Sequence, residues 1–311
     1  MVRQIVDKAA NLAIVLIGSL FLVFSITYLL PTDVVDTMLA NNAGDPKAEQ
    51  ALRQQLGLDV PFHEQFIRYI SNIAQGDFGT SAIDKESVID KILTQFPATI
   101  ALTIASVLIA AIVGIVLGIL AAIYRNTFID YIARVIGLVG ISMPAFWTGI
   151  LLIIIFSIGL GWFPAMGSDG WKTLVLPATT LGLLGAGFIV RIVRNSMLEV
   201  LSENYIATLR AKGLSEKVVL FKHALRNAII PALTIIGILI GDLLGGAVVI
   251  ETVFARQGIG RLIADAIVAK DIAVVQGVVF FIAIIYVVMN LIIDISYSII
   301  DPRIRRQQVG G

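Results

Sequence analysis

The sequence contains no cysteine and only two histidines, His63 and His223, among its 311 residues. Without cysteine there is no disulfide, thiolate metal site or cysteine nucleophile, and two isolated histidines make no recognisable metal-binding motif. The motifs G-x-x-x-x-G-K-[ST], H-E-x-x-H and G-x-S-x-G are also absent. We therefore expect no catalytic residue, no metal and no cofactor bound by this chain.

Charged residues are also scarce, at 14% of the chain, whereas hydrophobic residues make up 58% and the mean hydropathy is +0.92. These values lie far outside the range of soluble domains. The basic residues are not interleaved with aromatic ones, so nothing favours binding to nucleic acid. The composition predicts an integral membrane protein in contact with lipid.

Long uncharged segments define the expected topology, because a helix needs about 20 apolar residues to cross a bilayer core. The six candidate segments are residues 9–30, 98–124, 135–165, 173–190, 228–250 and 272–293. A secretory signal is the alternative for the first, but its apolar run is long and no convincing cleavage site follows. We predict an all-α polytopic fold with six transmembrane helices.

The polar regions between these segments suggest three parts. Residues 1–31 form the N-terminal cytoplasmic end and first transmembrane helix, residues 32–97 an external subdomain, and residues 98–311 a five-helix core. Within that core, residues 197–228 form a cytoplasmic segment. His63 is interpreted as an ordinary surface or core histidine, and GDFGTS at residues 76–81 as a structural turn.

The distribution of positive charge orients this topology. Fourteen lysine and arginine residues fall on the side that holds both termini, against nine on the other side, which also holds fourteen acids. The positive-inside rule therefore predicts that the termini and residues 197–228 are cytoplasmic.

Two kinds of residue stand out within the spans. Pro144 in ISMPAFW should kink its helix, and Asp242 carries a charge that costs about 2.5–3.5 kcal/mol at a helix centre. Pro144, the adjacent Phe146 and Asp242 are candidates for lining a pathway. The alternatives are a packing kink at Pro144 and a hydrogen-bonded packing role for Asp242.

Glycine spacing marks possible close helix contacts. GIVLG at residues 114–118 has the small-xxx-small pattern, and Gly237, Gly241 and Gly245 repeat it with a four-residue period. The pattern is common, so we treat the first as a weak signal and the second as an expected contact.

The most informative stretch is residues 202–231, which has the pattern of two short helices separated by Gly213. Residues 203–230 hold two acids and five strong bases, a net charge of +3. Ser215 is placed to cap the second helix, and Leu214 to staple onto Val219. The apolar stripe of that helix is expected to comprise Leu214, Val218, Phe221 and Leu225. A solvated basic loop is the simplest interpretation, and a docking element is the alternative.

The amino-acid sequence of this stretch favours the docking element over the solvated loop. The run YIATLRAKGLSEKVVLFKHALRNAIIP, residues 205–231, resembles the cytoplasmic loop of permeases of ATP-binding-cassette (ABC) importers, in particular the peptide/nickel branch. Residues 76–81, 250–277 and 301–306 (DPRIRR) extend the resemblance over nearly the whole chain. The broader importer signature has Glu-Ala-Ala where this chain has Ala207, Thr208 and Leu209. Its later proline position is Arg226, with Pro231 displaced, as is typical of this branch.

The resemblance implies a type I importer permease in a bacterial or archaeal cytoplasmic membrane. It implies a second permease subunit, two ATP-binding subunits that hold ATP with magnesium, and an extracytoplasmic substrate-binding protein. The residues implied in coupling to the ATPases are Tyr205, Leu209, Arg210, Ala211, Lys212, Gly213, Leu214, Ser215, Val218, Phe221, His223 and Arg226. Those implied at the external gate or docking surface are Glu251, Phe254, Gly258 and Gly260, although an ordinary interhelical loop is the alternative for any one of them.

The expected function is thus a pore-forming permease that moves peptides or related small solutes by alternating access. Two other classes remain as alternatives. An ATP-independent secondary transporter should show inverted repeats or several intramembrane carboxylates, whereas only Asp242 qualifies here. A membrane scaffold or receptor would need no pathway, so its function would survive replacement of Pro144 or Asp242.

Overall fold

The computed structural model describes residues 2–29, 50 and 59–300, and it is helical throughout most of that length. The helices of these residues follow one another along the chain without any named strand. They are α1 (Val2–Leu29), α2 (Phe62–Ala74), α3 (Val88–Ile123), α4 (Phe128–Ser142), α5 (Ala145–Gly159), α6 (Lys172–Leu201), α7 (Asn204–Ala211), α8 (Glu216–Ala228), α9 (Ile230–Gly246), α10 (Val248–Val253), α11 (Ile259–Val268) and α12 (Ile272–Ile300).

Five apolar helical segments are long enough to cross a membrane when each bent helix pair counts as one span. Three are single helices, and the pairs are α4 with α5 and α8 with α9. The apolar part of α1, Ile14–Leu29, is shorter but coincides with the first predicted span. Among the described residues, each of the six predicted segments therefore corresponds to an apolar helix, and the all-α polytopic fold is confirmed.

The chain divides into two compact units, the first formed by Met1–Thr99 and Gln257–Val287. Its core packs the start of α3 against α11 and α12 through Val88, Ile92, Leu262 and Val278, all of them buried. The loop before α3 is tied down by Asp271, which accepts a 2.5 Å hydrogen bond from the Ser81 hydroxyl. Residues 76–81 are therefore structural, as their turn-rich sequence suggested.

The second unit, Ile100–Arg256 with Val288–Gly311, is built around α6. Glycines bring α6 close to α3: a Cβ added at Gly114 would lie 2.6 Å from the Ile189 Cβ, and one at Gly118 would lie 2.7 Å from the Val193 Cβ. From the other side, a Cβ at Gly182 would lie 2.6 Å from Ile109 Cγ2. The GIVLG pattern thus marks a close contact between α3 and α6.

Two expectations about glycine and proline need correction. At Gly237 an added Cβ would be 3.4 Å from Ile293, an ordinary contact distance, so the glycine repeat of α9 is looser than the contact between α3 and α6. Pro97 lies inside α3, which begins at Val88. The predicted boundary between residues 97 and 98 therefore falls within a continuous helix. The turns of this helix before Pro97 bury Val88 and Ile92 in the core of the first unit.

Pro144 breaks its span, where the sequence predicted a kink. The helix ends at Ser142 and restarts at Ala145, and the axes of α4 and α5 differ by 112°. Pro144 adopts an extended ψ of 136° and its carbonyl starts the new helix by accepting from the N–H of Thr148 at 3.1 Å. Residues 128–134, predicted as a loop, form the first turns of α4, and α6 extends eleven residues beyond its predicted end at residue 190.

The glycine contact between α3 and α6 predicts that Gly114→Ala destabilises the protein. The added Cβ would clash with Ile189, and overpacking of this kind costs about 1–3 kcal/mol. Thermal unfolding in detergent measures the effect. Gly18→Ala in α1 is the matched control, because an added Cβ there meets nothing within 4 Å. Equal stability of the two variants would contradict the role given to this contact.

Candidate functional site

Residues 202–231, the segment that the sequence analysis found most informative, contain a compact pair of short helices that follow α6. α7 and α8 flank Gly213, whose φ of +82° is the left-handed conformation that glycine adopts without strain. The reversal is fixed by backbone bonds from Gly213 N to Arg210 O at 2.9 Å and from Leu214 N to Leu209 O at 3.3 Å. The predicted turn between two helices is therefore present.

The turn is also bridged by side chains. Arg210 donates to both carboxylate oxygens of Glu216, at 2.7 and 3.3 Å, and both side chains are solvent-exposed. Ser215 stands at the helix start, but its side chain makes no capping hydrogen bond, contrary to expectation. Its carbonyl instead accepts from the N–H groups of Val218 and Val219, both at 3.0 Å.

The inner face of α8 differs from the predicted stripe because Val219–Ala224 is π-helical. A π-helix has a wider turn than an α-helix, so the residues that face inward change. Val219 and Ala224 are fully buried, and they pack with Ile189, Val193, Met197 and Ile206 in one cluster. Leu214 and Leu225 join this cluster as expected.

Val218 and Phe221, which belong both to the predicted apolar stripe and to the coupling candidates, are 39% and 55% exposed. We call these two side chains and the 38% exposed Tyr205 the coupling surface. Asn227 Nδ2 donates to the Tyr205 hydroxyl at 3.0 Å, which links α7 to the end of α8. The coupling surface thus presents apolar side chains on a backbone fixed to α6.

The other coupling candidates divide by exposure. Those on the surface of the segment are Arg210, Ala211, Lys212, Gly213, Ser215 and Arg226. Leu209, Leu214 and His223 are half-buried. The structure thus brings all twelve candidates into one segment, and their role in coupling stays a prediction.

A buried ion pair joins the broken span to α6, and sequence analysis missed it. Asp130, in the first turn of α4, has no exposed side-chain surface, and Arg194 of α6 donates to its two oxygens at 2.8 and 2.9 Å. The backbone N–H of Asn126 adds a third bond at 3.0 Å. Arg134, one turn further along α4, also approaches Asp130, with its Nε 3.3 Å from Oδ1. This pair at i and i+4 can be read from the sequence, but the bidentate partner Arg194 lies 64 positions away.

The pathway candidates lie on uncovered surfaces of the second unit. Pro144 and Phe146 flank the break between α4 and α5, and Phe146 is 47% exposed. Asp242 is exposed on α9 and has no hydrogen-bond or ion-pair partner among the described residues. The hypothesis that Asp242 forms a hydrogen bond in helix packing therefore has no supporting partner among the described residues. Its role in a pathway stays a prediction.

The external candidates are buried within the chain. Glu251 and Phe254 are 0% and 1% exposed, and Gly258 and Gly260 are also buried. The Phe254 ring packs against Gly149 and its carbonyl accepts from Gly167 N at 3.0 Å. Burial lowers the pKa of the Arg256 guanidinium, and the negative charge of Glu251 opposes that shift. Glu251 and Phe254 are thus core residues of the second unit, and Gly258 and Gly260 are buried residues of the first. Their role at an external gate or docking surface stays a prediction.

Comparison with known protein families identifies the family of this chain. The family model for the inner membrane component of binding-protein-dependent transport systems matches residues 114–306, and the model for its N-terminal region matches residues 1–103. The chain belongs to this family. It is a multi-pass inner-membrane permease subunit of an ABC importer, and as the membrane component it is not itself catalytic.

Curated permeases of this family are similar over the whole chain. The glutathione transport system permease protein GsiC of Salmonella paratyphi A (strain ATCC 9150 / SARB42) is 42% identical over 305 residues, covering 98% of this chain and 99% of that protein. GsiC of Escherichia coli (strain K12) has the same identity and coverage. The similarity supports the peptide-type branch that the sequence resembles.

Solved importers share the fold at lower identity. The inward-facing MetNI methionine ABC transporter aligns with a TM-score of 0.58 and 21% identity, covering 68% of this chain and 97% of that one. An amino acid ABC transporter crystallised with histidines aligns with a TM-score of 0.53 and 16% identity, covering 69% of this chain and 94% of that one. These permeases share the type I importer architecture.

The buried ion pair predicts that Asp130→Ala destabilises the permease. Removing one partner of a buried pair costs about 3–5 kcal/mol, because Arg194 loses its charge partner in a site that leaves its side chain only 16% exposed. Thermal unfolding in detergent reports the loss. The double variant Asp130→Ala with Arg194→Met should recover much of it, since apolar replacements tolerate such a site. A single variant as stable as wild type would exclude a structural role for the pair.

Proposed function

We propose that this permease forms half of the pore of an ATP-driven importer for peptides or peptide-like solutes such as glutathione. Two ATPase subunits bind ATP with magnesium and hydrolyse it, a second related permease completes the pore, and an external binding protein delivers the cargo. The glutathione permeases that are 42% identical to this chain support this cargo class. The excess of basic residues in the coupling segment supports cytoplasmic termini.

The coupling surface is the observation that carries this proposal. Val218 and Phe221 are exposed on a cytoplasmic segment, although nothing about the fold of the chain requires large apolar side chains there. Exposed apolar groups of this kind, ringed by charge, are typical of protein interfaces. We assign the ATPase as the partner of this surface, with Tyr205 and Phe221 as its main anchors.

Movement of the coupling surface reaches the membrane through α6. Val219 and Ala224 are buried against Ile189, Val193 and Met197 of that helix, so a push on α8 displaces packed side chains. Asp130 and Arg194 connect the same part of α6 to the broken span. Alternating access then follows from rigid-body motion of α6 and its neighbours, since packed cores transmit displacement.

The cargo route is assigned to the uncovered faces of the second unit. Asp242 has no partner among the described residues, and a charge left facing lipid would be costly. We assign it to a water-filled route shared with the second permease, with Pro144 and Phe146 at the break between α4 and α5. The external residues Glu251, Phe254, Gly258 and Gly260 hold the outer loop in the shape that the binding protein meets.

Two variants of the coupling segment test the assignment to the ATPase. Phe221→Ala should lower ATP-driven uptake about tenfold or more, because burying such a ring contributes about 1.5–3 kcal/mol to an interface. Gly213→Pro should abolish uptake, because proline fixes φ near −65° and the native value is +82°. Uptake into proteoliposomes containing the binding protein is the measurement.

Tyr124→Ala is the matched control, since Tyr124 is 46% exposed on the loop between α3 and α4 and lies outside the coupling surface. All three variants should insert and purify in normal amounts. If Phe221→Ala and Gly213→Pro both transport at the wild-type rate, the coupling role is wrong. Uptake that needs no ATP in the wild-type protein would instead favour a secondary transporter.

The substitution Asp242→Asn tests whether Asp242 lines the proposed cargo route. The substitution should lower uptake about tenfold, the worth of one charge-assisted hydrogen bond, while assembly is unchanged or improved because a membrane charge is removed. Asp242→Glu, which keeps the charge, should retain most activity. Uptake is normalised to assembled complex measured by size-exclusion chromatography. Reduced assembly with normal transport per complex would reassign Asp242 to packing between subunits.

A further inference from the structure

Arg191 is an exposed cation of α6, and it makes no hydrogen bond or ion pair with any residue that the structure describes. Its guanidinium carbon lies 6.0 Å from the ring centre of Phe188, on the preceding turn of the same helix, which is within cation–π distance. Arg194, three positions further on, instead donates two hydrogen bonds to Asp130. Of these two neighbouring arginines, one therefore joins two helices, and the other keeps its donors available.

Helix packing places Arg191 on the side of α6 that is opposite to α3. A Cβ added at Gly182 would lie 2.6 Å from Ile109 of α3. Arg191 is nine positions further on, and nine residues make about two and a half helical turns, so the two positions face opposite ways. The exposed Asn195 lies one turn beyond Arg191 on the same face. This face of α6 is therefore a polar strip that is turned away from α3.

The helix α9 runs antiparallel beside α6. Ala232 of α9 shares a buried cluster with Met197, near the C-terminal end of α6. Further along α9, Leu239 packs against Gly185, where an added Cβ would lie 3.2 Å from the Leu239 Cδ1. Rising residue numbers in α9 therefore meet falling residue numbers in α6.

Arg191 and Asp242 lie on the same side of this helix pair. At about 100° per residue, Arg191 is turned by about −120° from Gly185, and Asp242 is turned by about −60° from Leu239. In antiparallel neighbours, turns of the same sign point to the same side. Along the axis, Asp242 lies three residues from the level of this contact, and Arg191 lies six residues from it in the opposite direction. The levels of the two charges thus differ by about 13.5 Å, at 1.5 Å per residue.

The shared face is not a lipid-facing surface. Asp242 lies near the middle of its predicted span, residues 228–250, where a carboxylate in contact with lipid is costly. Charged residues at such depth face a water-filled cavity or another subunit, and Arg191 shares that environment because it shares the face. A guanidinium there is suited to a carboxylate, which accepts two parallel hydrogen bonds from its fork of donors.

We propose that Arg191 is a specificity-determining residue of the cargo route, which binds a carboxylate of the cargo on the cytoplasmic side of Asp242. The inference rests on the proposed importer function and adds a residue to its route. The Phe188 ring keeps a contact with the guanidinium while no anion is bound. Asp242 cannot take the place of the anion, because the two charges lie at different levels of the same face.

The amount of cargo taken up for each ATP hydrolysed tests this role. The complete complex is placed in proteoliposomes with its binding protein, and radiolabelled glutathione, which carries two carboxylates, is the cargo probe. Arg191→Gln should lower uptake per ATP about tenfold, the effect of one charge-assisted hydrogen bond. Arg191→Lys keeps the positive charge and should restore most of the yield. Lys172→Gln, at an exposed cation in the first turn of α6, is the matched control and should leave the yield unchanged.

The lipid composition distinguishes two sources of the bound anion. The measurement is repeated in liposomes of neutral phosphatidylcholine and in liposomes that also contain anionic phosphatidylglycerol. If the anion belongs to the cargo, Arg191→Gln should lose the same fraction of the yield in both membranes. A loss that occurs only with phosphatidylglycerol would overturn the proposal in favour of a lipid headgroup.

Three further results would contradict the proposal. Wild-type uptake per ATP by Arg191→Gln would exclude Arg191 from the route. Reduced copurification of the second permease with that variant would place Arg191 at the subunit interface, and an equal fall of uptake and ATP hydrolysis would place it in coupling to the ATPases. Failure of the importer function has a different signature, because wild-type proteoliposomes would then show no ATP-driven uptake.

Discussion

The close approach of α6 to its neighbours is the constraint on which the second unit depends. In a bilayer the lipid is as apolar as the side chains, so helices associate mainly through van der Waals packing and interhelical hydrogen bonds. Ile189 and Val193 of α6 pack against Gly114 and Gly118 of α3. Ile109 of α3 packs against Gly182 of α6 in the same way. Further along the same helix, Gly187 meets the carbonyl of Gly137 so closely that a Cβ there would lie 2.5 Å from it. α6 is held on two sides by backbone proximity, which leaves it little freedom to slide.

Buried polar groups impose a different constraint from apolar packing, because each of them needs a hydrogen-bonding or ionic partner. Asp130 is tolerated without exposure because a bidentate arginine and a backbone N–H meet its oxygens. The break at Pro144 leaves carbonyls without helical partners, and the restarted helix α5 recovers part of the loss through bonds to Pro144. Asp242 is exposed and has no partner among the described residues, and for this reason it is assigned to a route and not to the core.

The sequence predicted those features that depend on local chemistry. Apolar length located the membrane segments, Gly213 located the reversal between α7 and α8, and the motif at residues 205–231 indicated the family. It failed where geometry depends on partners distant in the chain. The ion pair of Asp130 needs a helix 64 residues away. The π-helical turn of Val219–Ala224 exposes Phe221 and buries Ala224, an exchange that regular helical periodicity does not reveal. Likewise, Pro97 and Pro144 are both prolines in apolar surroundings, but only Pro144 ends a helix. The residue type alone therefore does not predict where a helix ends.

One helix connects the two ends of the second unit. Near its C-terminal end, Val193 and Met197 of α6 pack with Val219 and Ala224 beneath the coupling surface. Near its start, Leu176 and Leu181 pack with Ile250 and Phe254 of the external motif. Two of the motifs that carry the family resemblance are therefore packed against the same 30-residue helix, near its opposite ends. A helix of that length is about 45 Å long, enough to cross the membrane and its headgroups. Under the proposed coupling mechanism, a displacement beneath the coupling surface reaches the packing around Phe254 through this one packed helix.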